Sequence, residues 1–456
     1  MNIQLSNRSW EERDLEYHFH GFSDIATLDN NGPIVISGGK GVRVFDTNGK
    51  AYLEANSGLW NFVAGFDHPE LVEVARAQYA KFSGYHAFFG RVSDTAVALA
   101  EKVIDVSPFA SGKVFFTNSG SEANDTAVKM LWMVHHGSGA PKRRKIISRV
   151  NAYHGVTIAT ASMTGKPYND VFGLPLPGFL HADCPHYWRY GQTDESESEF
   201  TRRMANNLEE LIEREGPETI AGFFAEPVMG AGGVITPSEG YFDAIQPILK
   251  RHDIPLVADE VITGFGRTGE LWGSTTYAIE PDIIIASKCI TAGYFPMGAV
   301  ILSDPMAERL HQASVAAEEF PHGFTSAAHP VGCAIANKAI ELIVDGGLFD
   351  HARSISDYFH DHLRRFEDHP FIGEKRGIGL MAALEVVRDK ADKTPFASEI
   401  GISEAIANAA LEEGLICRPL GQAVVLCPPF IITREEVDEL FERLGKALQS
   451  VFSKYD

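Results

Sequence analysis

Short apolar runs recur through the middle of the chain, each separated from the next by a longer stretch of helical spacing. Val114–Thr117, Lys145–Arg149, Gly222–Glu226, Pro255–Val261, Ile283–Ser287 and Ala299–Leu302 read as strands, rich in β-branched and aromatic residues and bounded by turn formers. Strands alternating with helices from about residue 59 to residue 303 predict a large, mostly parallel sheet with helices on both faces. Ahead of it, Val42–Asp46 and Ala51–Leu53 flank Asn48-Gly49, a strong hairpin signal, so residues 31–58 read as a small meander. Beyond His329 the pattern changes to two long helices, then short strands, then a final helix. Thr433 and Glu436 predict a capping box opening that helix, and Val437, Leu440, Phe441, Leu444, Leu448 and Val451 keep one apolar stripe along it. The expected organisation is an α/β chain in three segments. Residues 1–58 and 329–456 would build a smaller α+β domain around a large domain at 59–328.

Composition narrows the class without selecting a substrate. A chain of 456 residues, 45% hydrophobic and 22% charged, is ordinary for a globular protein and long enough for two domains. Its net charge of −21 argues against a nucleic-acid surface and against docking on anionic membranes. No apolar stretch reaches the length of a membrane span. The five cysteines, Cys184, Cys289, Cys333, Cys417 and Cys427, are odd in number and form no Cys-x-x-Cys. That argues against a disulfide framework or a zinc ribbon and fits a reducing compartment. Met1–Arg13 is polar and mixed in charge with no apolar signal core, so the expected location is cytoplasmic.

The chemistry concentrates at the ends of two of the strands. Lys288 closes Pro281-Asp282-Ile283-Ile284-Ile285-Ala286-Ser287-Lys288, and Asp259 closes Pro255-Leu256-Val257-Ala258-Asp259. If these strands are parallel neighbours, the amine and the acid share one carboxyl edge, where open α/β sheets bind ligands. A lysine for covalent attachment and an acid for a pyridinium nitrogen are what pyridoxal phosphate (PLP) requires of a protein. Asp259 would keep the ring nitrogen protonated. Lys288 would hold the cofactor and, once displaced, act as general base and acid. The plain alternative is a structural ion pair.

Two further segments fit the same cofactor. Asn118-Ser119-Gly120-Ser121-Glu122-Ala123 follows a strand and opens a helix with Ala123, Ala127, Met130, Leu131 and Val134 on one side. Small residues at a helix start let backbone N–H groups approach a phosphate, and Ser121 adds a hydroxyl. Alone, this reads more simply as an ordinary capped helix start; the Lys288–Asp259 pair reverses that preference. Tyr153-His154-Gly155 follows another strand and offers a ring to stack on a flat cofactor, while Glu226, before Pro227, offers a second acid.

Other patterns point elsewhere. Gly264-Phe265-Gly266-Arg267-Thr268-Gly269 matches the dinucleotide fingerprint, but the fingerprint needs a helix opening at its third glycine. Here the chain continues Glu270-Leu271-Trp272-Gly273-Ser274-Thr275-Thr276, a poor helix. His181, Asp183, Cys184 and His186 are metal-ligand types at no standard zinc spacing; with His18 and His20 they read as scattered polar residues, and no metal is expected.

The motifs together carry a family resemblance over nearly the whole chain. They are Leu59-Trp60 after Ala55-Asn56-Ser57-Gly58, Tyr85-His86-Ala87-Phe88-Phe89-Gly90, Asn118 to Asn124, and Tyr153-His154-Gly155. Further along come Glu226-Pro227-Val228, Asp259-Glu260-Val261, Ser287-Lys288, Gly323-Phe324-Thr325 and Cys417-Arg418-Pro419-Leu420-Gly421. The chain resembles the class III aminotransferases of PLP fold type I, most nearly the ω-amine:pyruvate transaminases that accept S-configured amines. The resemblance implies a homodimer with active sites at the interface, and PLP that alternates with pyridoxamine phosphate. It implies cofactor contacts from Ser119, Gly120, Ser121, Tyr153, Glu226, Asp259, Val261 and Lys288, with Thr325 of the partner subunit helping at the phosphate. Arg418 resembles a mobile arginine that pairs with a substrate carboxylate.

Phe22, Leu59, Trp60, Phe88, Phe89, Tyr153, Val156, Ala231 and Ile262 are the implied substrate contacts, shaping a large and a small pocket. For Phe22, core packing is an equal alternative. The implied reaction moves an amino group from an amine or ω-amino acid to pyruvate or a related oxo acid. Decarboxylation, aminomutation or epimerisation on the same scaffold is the alternative; a nicotinamide dehydrogenase and a non-catalytic relative belong to other classes. β-Alanine, taurine, a diamine and an aromatic amine stay open as donors, because they differ by pocket shape rather than by motif. The preferred acceptor, dimer against tetramer, and the motion of Arg418 are equally open.

Overall fold

Ile36–Lys40 (β1), Arg43–Asp46 (β2) and Ala51–Glu54 (β3) form an antiparallel N-terminal meander in the computed structural model, which describes residues 8–455. Residues 1–7 of the expected N-terminal segment, and Asp456, lie outside the described residues. Asp46 closes the β2–β3 turn by accepting the amides of Asn48 and Lys50 at 2.9 Å each. Gly49 supplies the left-handed residue there, with φ +83°.

The central sheet contains Gly112–Thr117 (β4), Lys145–Arg149 (β5), Phe179–Ala182 (β6), Ile220–Ala225 (β7), Leu256–Asp259 (β8), Ile283–Ala286 (β9) and Gly298–Ser303 (β10). Its order is β4-β10-β9-β8-β7-β5-β6. All strands run the same way except β10, which is antiparallel to both neighbours. The reversal follows from the link. Only a short 3-10 turn, Lys288–Thr291, and a loop join β9 to β10, and a parallel return needs a longer crossover. β6 was absent from the expected strands; it is an edge strand and three of its four residues are only half-buried, so its apolar signal is weak.

Side chains alternate across this sheet as strand geometry requires. Val257, Ile283, Ile285, Val300 and Leu302 pack under the helices Gly120–Gly137 and Asp304–Ala316. Ala258, Ile284, Ala286, Ala299 and Ile301 face the helices Asp94–Val106 and Pro330–Val344. Both faces are covered, so the strands are apolar throughout rather than alternating.

The C-terminal part holds a second antiparallel sheet, β11-β12-β15-β14, made of Ile372–Ile378 (β11), Met381–Val386 (β12), Arg418–Leu420 (β14) and Ala423–Leu426 (β15). Leu415–Ile416 (β13) instead joins the meander, parallel to β3, so the two ends of the chain share a sheet. A helix not expected from the sequence, Ile402–Glu412, precedes β13. The final helix Arg434–Phe452 opens with the expected capping box, Thr433 accepting from Glu436 N at 3.2 Å and Glu436 from Thr433 N at 3.0 Å. One continuous apolar cluster links the meander, the central sheet and the C-terminal helices.

Ile284 is fully buried at the centre of the sheet, so Ile284→Ala should cost about 2–5 kcal/mol and lower the thermal midpoint clearly. Val315→Ala, at a residue 65% exposed, should shift stability by no more than about 0.5 kcal/mol.

Candidate active site

Asp259 ends β8 and pairs in register with Ile285 of β9, so the two strands finish at one edge of the sheet. Lys288 lies two residues beyond β9 and turns off the strand with φ +43°, a left-handed conformation uncommon for a residue with a side chain. The amine and the acid thus border one recess with Gly120, Ser121, Tyr153, His154, Gly155, Glu226, Val261, Ile262 and Ser287.

The Asp259 carboxylate is 3% exposed and held from three sides. Asn124 Nδ2 donates to Oδ2 at 2.8 Å, His154 Nδ1 lies 2.7 Å from the same oxygen, and Val261 N donates to Oδ1 at 3.1 Å. Asn124 also donates to the His154 carbonyl at 2.9 Å, which ties the helix start to the Tyr153 turn. Asn124 and His154 stand in the quoted motifs, yet sequence reasoning assigned neither a role. They lie 135 and 105 residues from Asp259, and no local spacing connects them.

Opposite, the helix Gly120–Gly137 begins at the recess. A Cβ on Gly120 would sit 2.9 Å from a Val261 methyl, so glycine lets the helix start lie close against the turn that follows β8. Gly155, at φ +136°, is equally obligatory, because a Cβ there would fall on the Ser121 hydroxyl. Ser121 Oγ accepts Val156 N at 3.2 Å. Free backbone amides, a helix dipole and a serine hydroxyl in a cradle cleared by two glycines suit a phosphate. Ser119 serves differently: its hydroxyl caps the helix by accepting Glu122 N at 3.2 Å.

Glu226 is 4% exposed and accepts the amides of Tyr153 at 3.0 Å and Gly230 at 3.1 Å. Burial pushes its carboxyl above the usual range, and the nearby Asp259 adds to that. Burial likewise pushes the Lys288 ammonium down, with Asp259 opposing. The Lys288 Nζ lies 5.9 Å from the centre of the Trp60 ring, and the Arg418 guanidinium stacks on the same ring at 4.4 Å. Arg418 has no carboxylate partner among the described residues; burial lowers its pKa, while Tyr153 and Tyr168 oppose. Trp60, Ala231 and Ile262 belong to one apolar cluster against which Tyr153 packs. Phe22 meets Tyr168 edge-on at 5.7 Å but is 73% exposed, which sets aside the core-packing alternative for it. No sequence pattern marks Lys166; burial pushes its ammonium down, and Glu226 draws it back up.

Not every expected residue borders the recess. Leu59 and Val156 are both 60% exposed and are not among its lining residues. Phe88, Phe89 and Thr325 lie elsewhere: Phe88 packs on Gly323, Phe89 is 86% exposed, and Thr325 is exposed. The glycine-rich run 264–269 is a structural clasp. After Gly269 only a four-residue helix, Gly273–Thr276, follows, and the fully buried Arg267 donates to Pro428 O at 2.6 Å and Ser57 Oγ at 2.9 Å.

Arg267 leads to the loop that presents Trp60. Ser57, Gly58 and Trp60 all have positive φ, at 49°, 67° and 63°. The buried Glu54 holds this strained turn by accepting the amides of Gly58 and of Asn56, the latter at 3.3 Å. Its carboxyl is pushed up from 4.5 to about 7 by burial, partly offset by those amides and by Arg267.

Comparison with known proteins gives a consistent picture. Residues 25–448 match the family model described as Aminotransferase class-III. The structure superposes on a pyridoxamine phosphate-bound aminotransferase from Vibrio fluvialis with a TM-score of 0.98 and 59% identity, covering 99% of this chain and 100% of that one. An omega-aminotransferase from Paracoccus denitrificans gives 0.97 at 59% identity, covering 98% and 100%. Among curated relatives, gamma aminobutyrate transaminase 1, mitochondrial, of Solanum lycopersicum is 43% identical over 419 residues, 91% of this chain and 81% of that protein.

A carboxyl with a raised pKa in the fold stabilises fully below its unfolded value and loses that contribution as pH rises through the folded one. The Glu54 contribution is therefore complete below about pH 4.5 and lost by about pH 7. Glu54→Gln should flatten the pH dependence of the thermal midpoint across that window.

Proposed function

The chain belongs to the class III aminotransferases, and from that premise we propose that it carries the amino group of an ω-amine or ω-amino acid to pyruvate or a related oxo acid. It is a PLP-dependent enzyme, and amino transfer is its reaction. That membership favours transfer over decarboxylation, aminomutation or epimerisation. The observation carrying the substrate reading is Arg418, stacked on Trp60 with no carboxylate partner of its own. A guanidinium in that position would pair bidentately with the carboxylate of an oxo acid. A donor without a carboxylate would use the apolar wall of Trp60, Ala231 and Ile262 instead.

The residues around the recess fit the cofactor and divide the work. PLP, when bound, supplies a carbon that takes up the amino group and a ring that stores electrons when the donor carbon loses its proton. Asp259, braced by Asn124 and His154, would keep the ring nitrogen protonated. Ser121 and the Gly120 amide would hold the phosphate, and Tyr153 would cover one face of the ring. Lys288 Nζ would anchor the cofactor between turnovers, then take the proton from the donor carbon and hand it on. A burial-lowered ammonium gives up its proton more readily, which suits that relay.

The partner reading is a homodimer with shared sites. Phe88, Phe89 and Thr325 lie outside the Lys288 recess, and exposed Leu59, Val156, Ile158, Val171 and Phe172 supply apolar surface for an interface. Five free, buried cysteines support the proposed cytoplasmic location. Among the described residues no helix is long and apolar enough to cross a membrane.

Absorption spectra test the cycle: the yellow protein should bleach with an S-configured aryl amine and recover with pyruvate. Colour that never bleaches with any amine would overturn the donor reading. Lys288→Ala should lose at least ~10²–10⁴-fold in turnover. Arg418→Ala should raise KM for pyruvate ~10–100-fold, since a hydrogen bond to a charged group contributes about 1.5–3 kcal/mol. Bleaching by the aryl amine should change little in that variant; an unchanged KM would remove Arg418 from acceptor binding.

A further inference from the structure

Asp14, His18 and His20, far from Lys288 in sequence, converge at the end of the first helix, Trp10–Tyr17. Asp14 and His18 stand four residues apart, the spacing that stacks side chains on one helical face. His18 Nδ1 lies 2.9 Å from one Asp14 oxygen, and His20 Nε2 lies 2.5 Å from the other. The possible ligand atoms of all three are within 4.8 Å of one another, and the imidazole rings are 4.4 Å apart between centroids. Read from sequence, the histidines were scattered polar residues; the fold brings both onto one carboxylate.

A hydrogen-bonded triad is the simplest account, with His20 first and His18 second holding the Asp14 carboxyl below its usual range. Yet this triad sits where the chain has little else to hold it. Neither Trp10–Tyr17 nor the next helix, Ile25–Asn31, buries a single residue. Trp10, Tyr17, Phe19 and Phe22 are all exposed. The His18 side chain is 63% exposed, which leaves an entry path, while Asp14 and His20 are partly buried at 19% and 24%.

We propose that Asp14, His18 and His20 bind a divalent transition-metal ion of the zinc type, with a fourth position open to water. Two imidazole nitrogens and one carboxylate oxygen form a three-ligand set of the kind zinc accepts. Nitrogen and oxygen ligands of this type favour zinc, cobalt, nickel or copper over magnesium or calcium. Metal–ligand distances of about 2.0–2.1 Å require the two imidazoles to give up their hydrogen bonds to Asp14 and move slightly apart from it to admit the ion, which an exposed helix end permits. The ion would clamp the end of the helix to the turn that carries Phe22, two residues past His20. Phe22 meets Tyr168 edge-on at 5.7 Å, so the clamp would steady that contact between the N-terminal segment and the central domain.

The test uses tag-free holoenzyme, stripped with a chelator and titrated with Co²⁺, whose visible bands report coordination by nitrogen and oxygen. The expected result is a saturable band at one equivalent per chain that Zn²⁺ displaces. His18→Ala and His20→Ala should each abolish it, and Asp14→Asn should weaken binding at least by the ~10–100-fold that loss of an outer-shell partner costs. His311→Ala, on an exposed helix face, should keep the band. Cofactor content measured in each variant separates loss of the site from loss of the fold. A wild-type enzyme with no saturable band, or a band that survives in the H18A/H20A double variant, would overturn the proposal.

Discussion

Two fully buried parallel strands set the chemistry of this protein. Because β8 and β9 pair with Asp259 opposite Ile285, the acid reaches the sheet edge level with the turn that carries Lys288. A slip of one residue would turn Val257 and Ala258 to the wrong faces and remove the helices covering both faces from their apolar contacts. The same packing that stabilises the sheet therefore fixes the separation of amine and carboxylate. The left-handed turn at Lys288 stores a little strain in the loop that leads to β10, where the well-buried strands on either side hold it.

Burial then tunes the groups gathered at that edge. Asp259 is held by two N–H donors and the His154 ring, one of the donors shared with the Tyr153 turn. Glu226 has two amides and is still pushed toward its neutral form, while Lys288 is pushed toward the free amine. Removal from water makes each of these groups costly when unpaired and effective once a ligand supplies the partner. Arg418 shows the same logic: it is stacked on Trp60 rather than paired with an acid.

The scaffold around the site is anchored well away from it. Arg267, in a run resembling a dinucleotide loop, reaches from the central sheet to the Pro428 carbonyl and to Ser57 at the root of the Trp60 turn. Glu54 holds the other side of that turn. Trp60, whose ring centre lies 5.9 Å from Lys288 Nζ, is thus positioned by residues from three segments, and its placement depends on how the meander, the central sheet and the C-terminal strands meet.

Lys288, Asp259 and the Ser119–Ser121 helix start stood out in the sequence because each sits at the end of an apolar run, where periodicity stops and chemistry begins. The meander, most strands and the final capping box were legible for the same reason: their signals span only a few neighbouring residues. β6 escaped because an edge strand is only half-buried. β10 read as a strand without a direction, since a strand pattern carries no record of its partner. Asn124, His154, Glu54 and the Asp14–His18–His20 cluster gained their meaning only in the fold. The sequence determined the local elements and the cofactor class, through short-range periodicity and residue chemistry. Tertiary structure decided which side chains meet across 105 to 135 residues, because hydrogen bonds and burial act through space and leave no periodic trace along the chain.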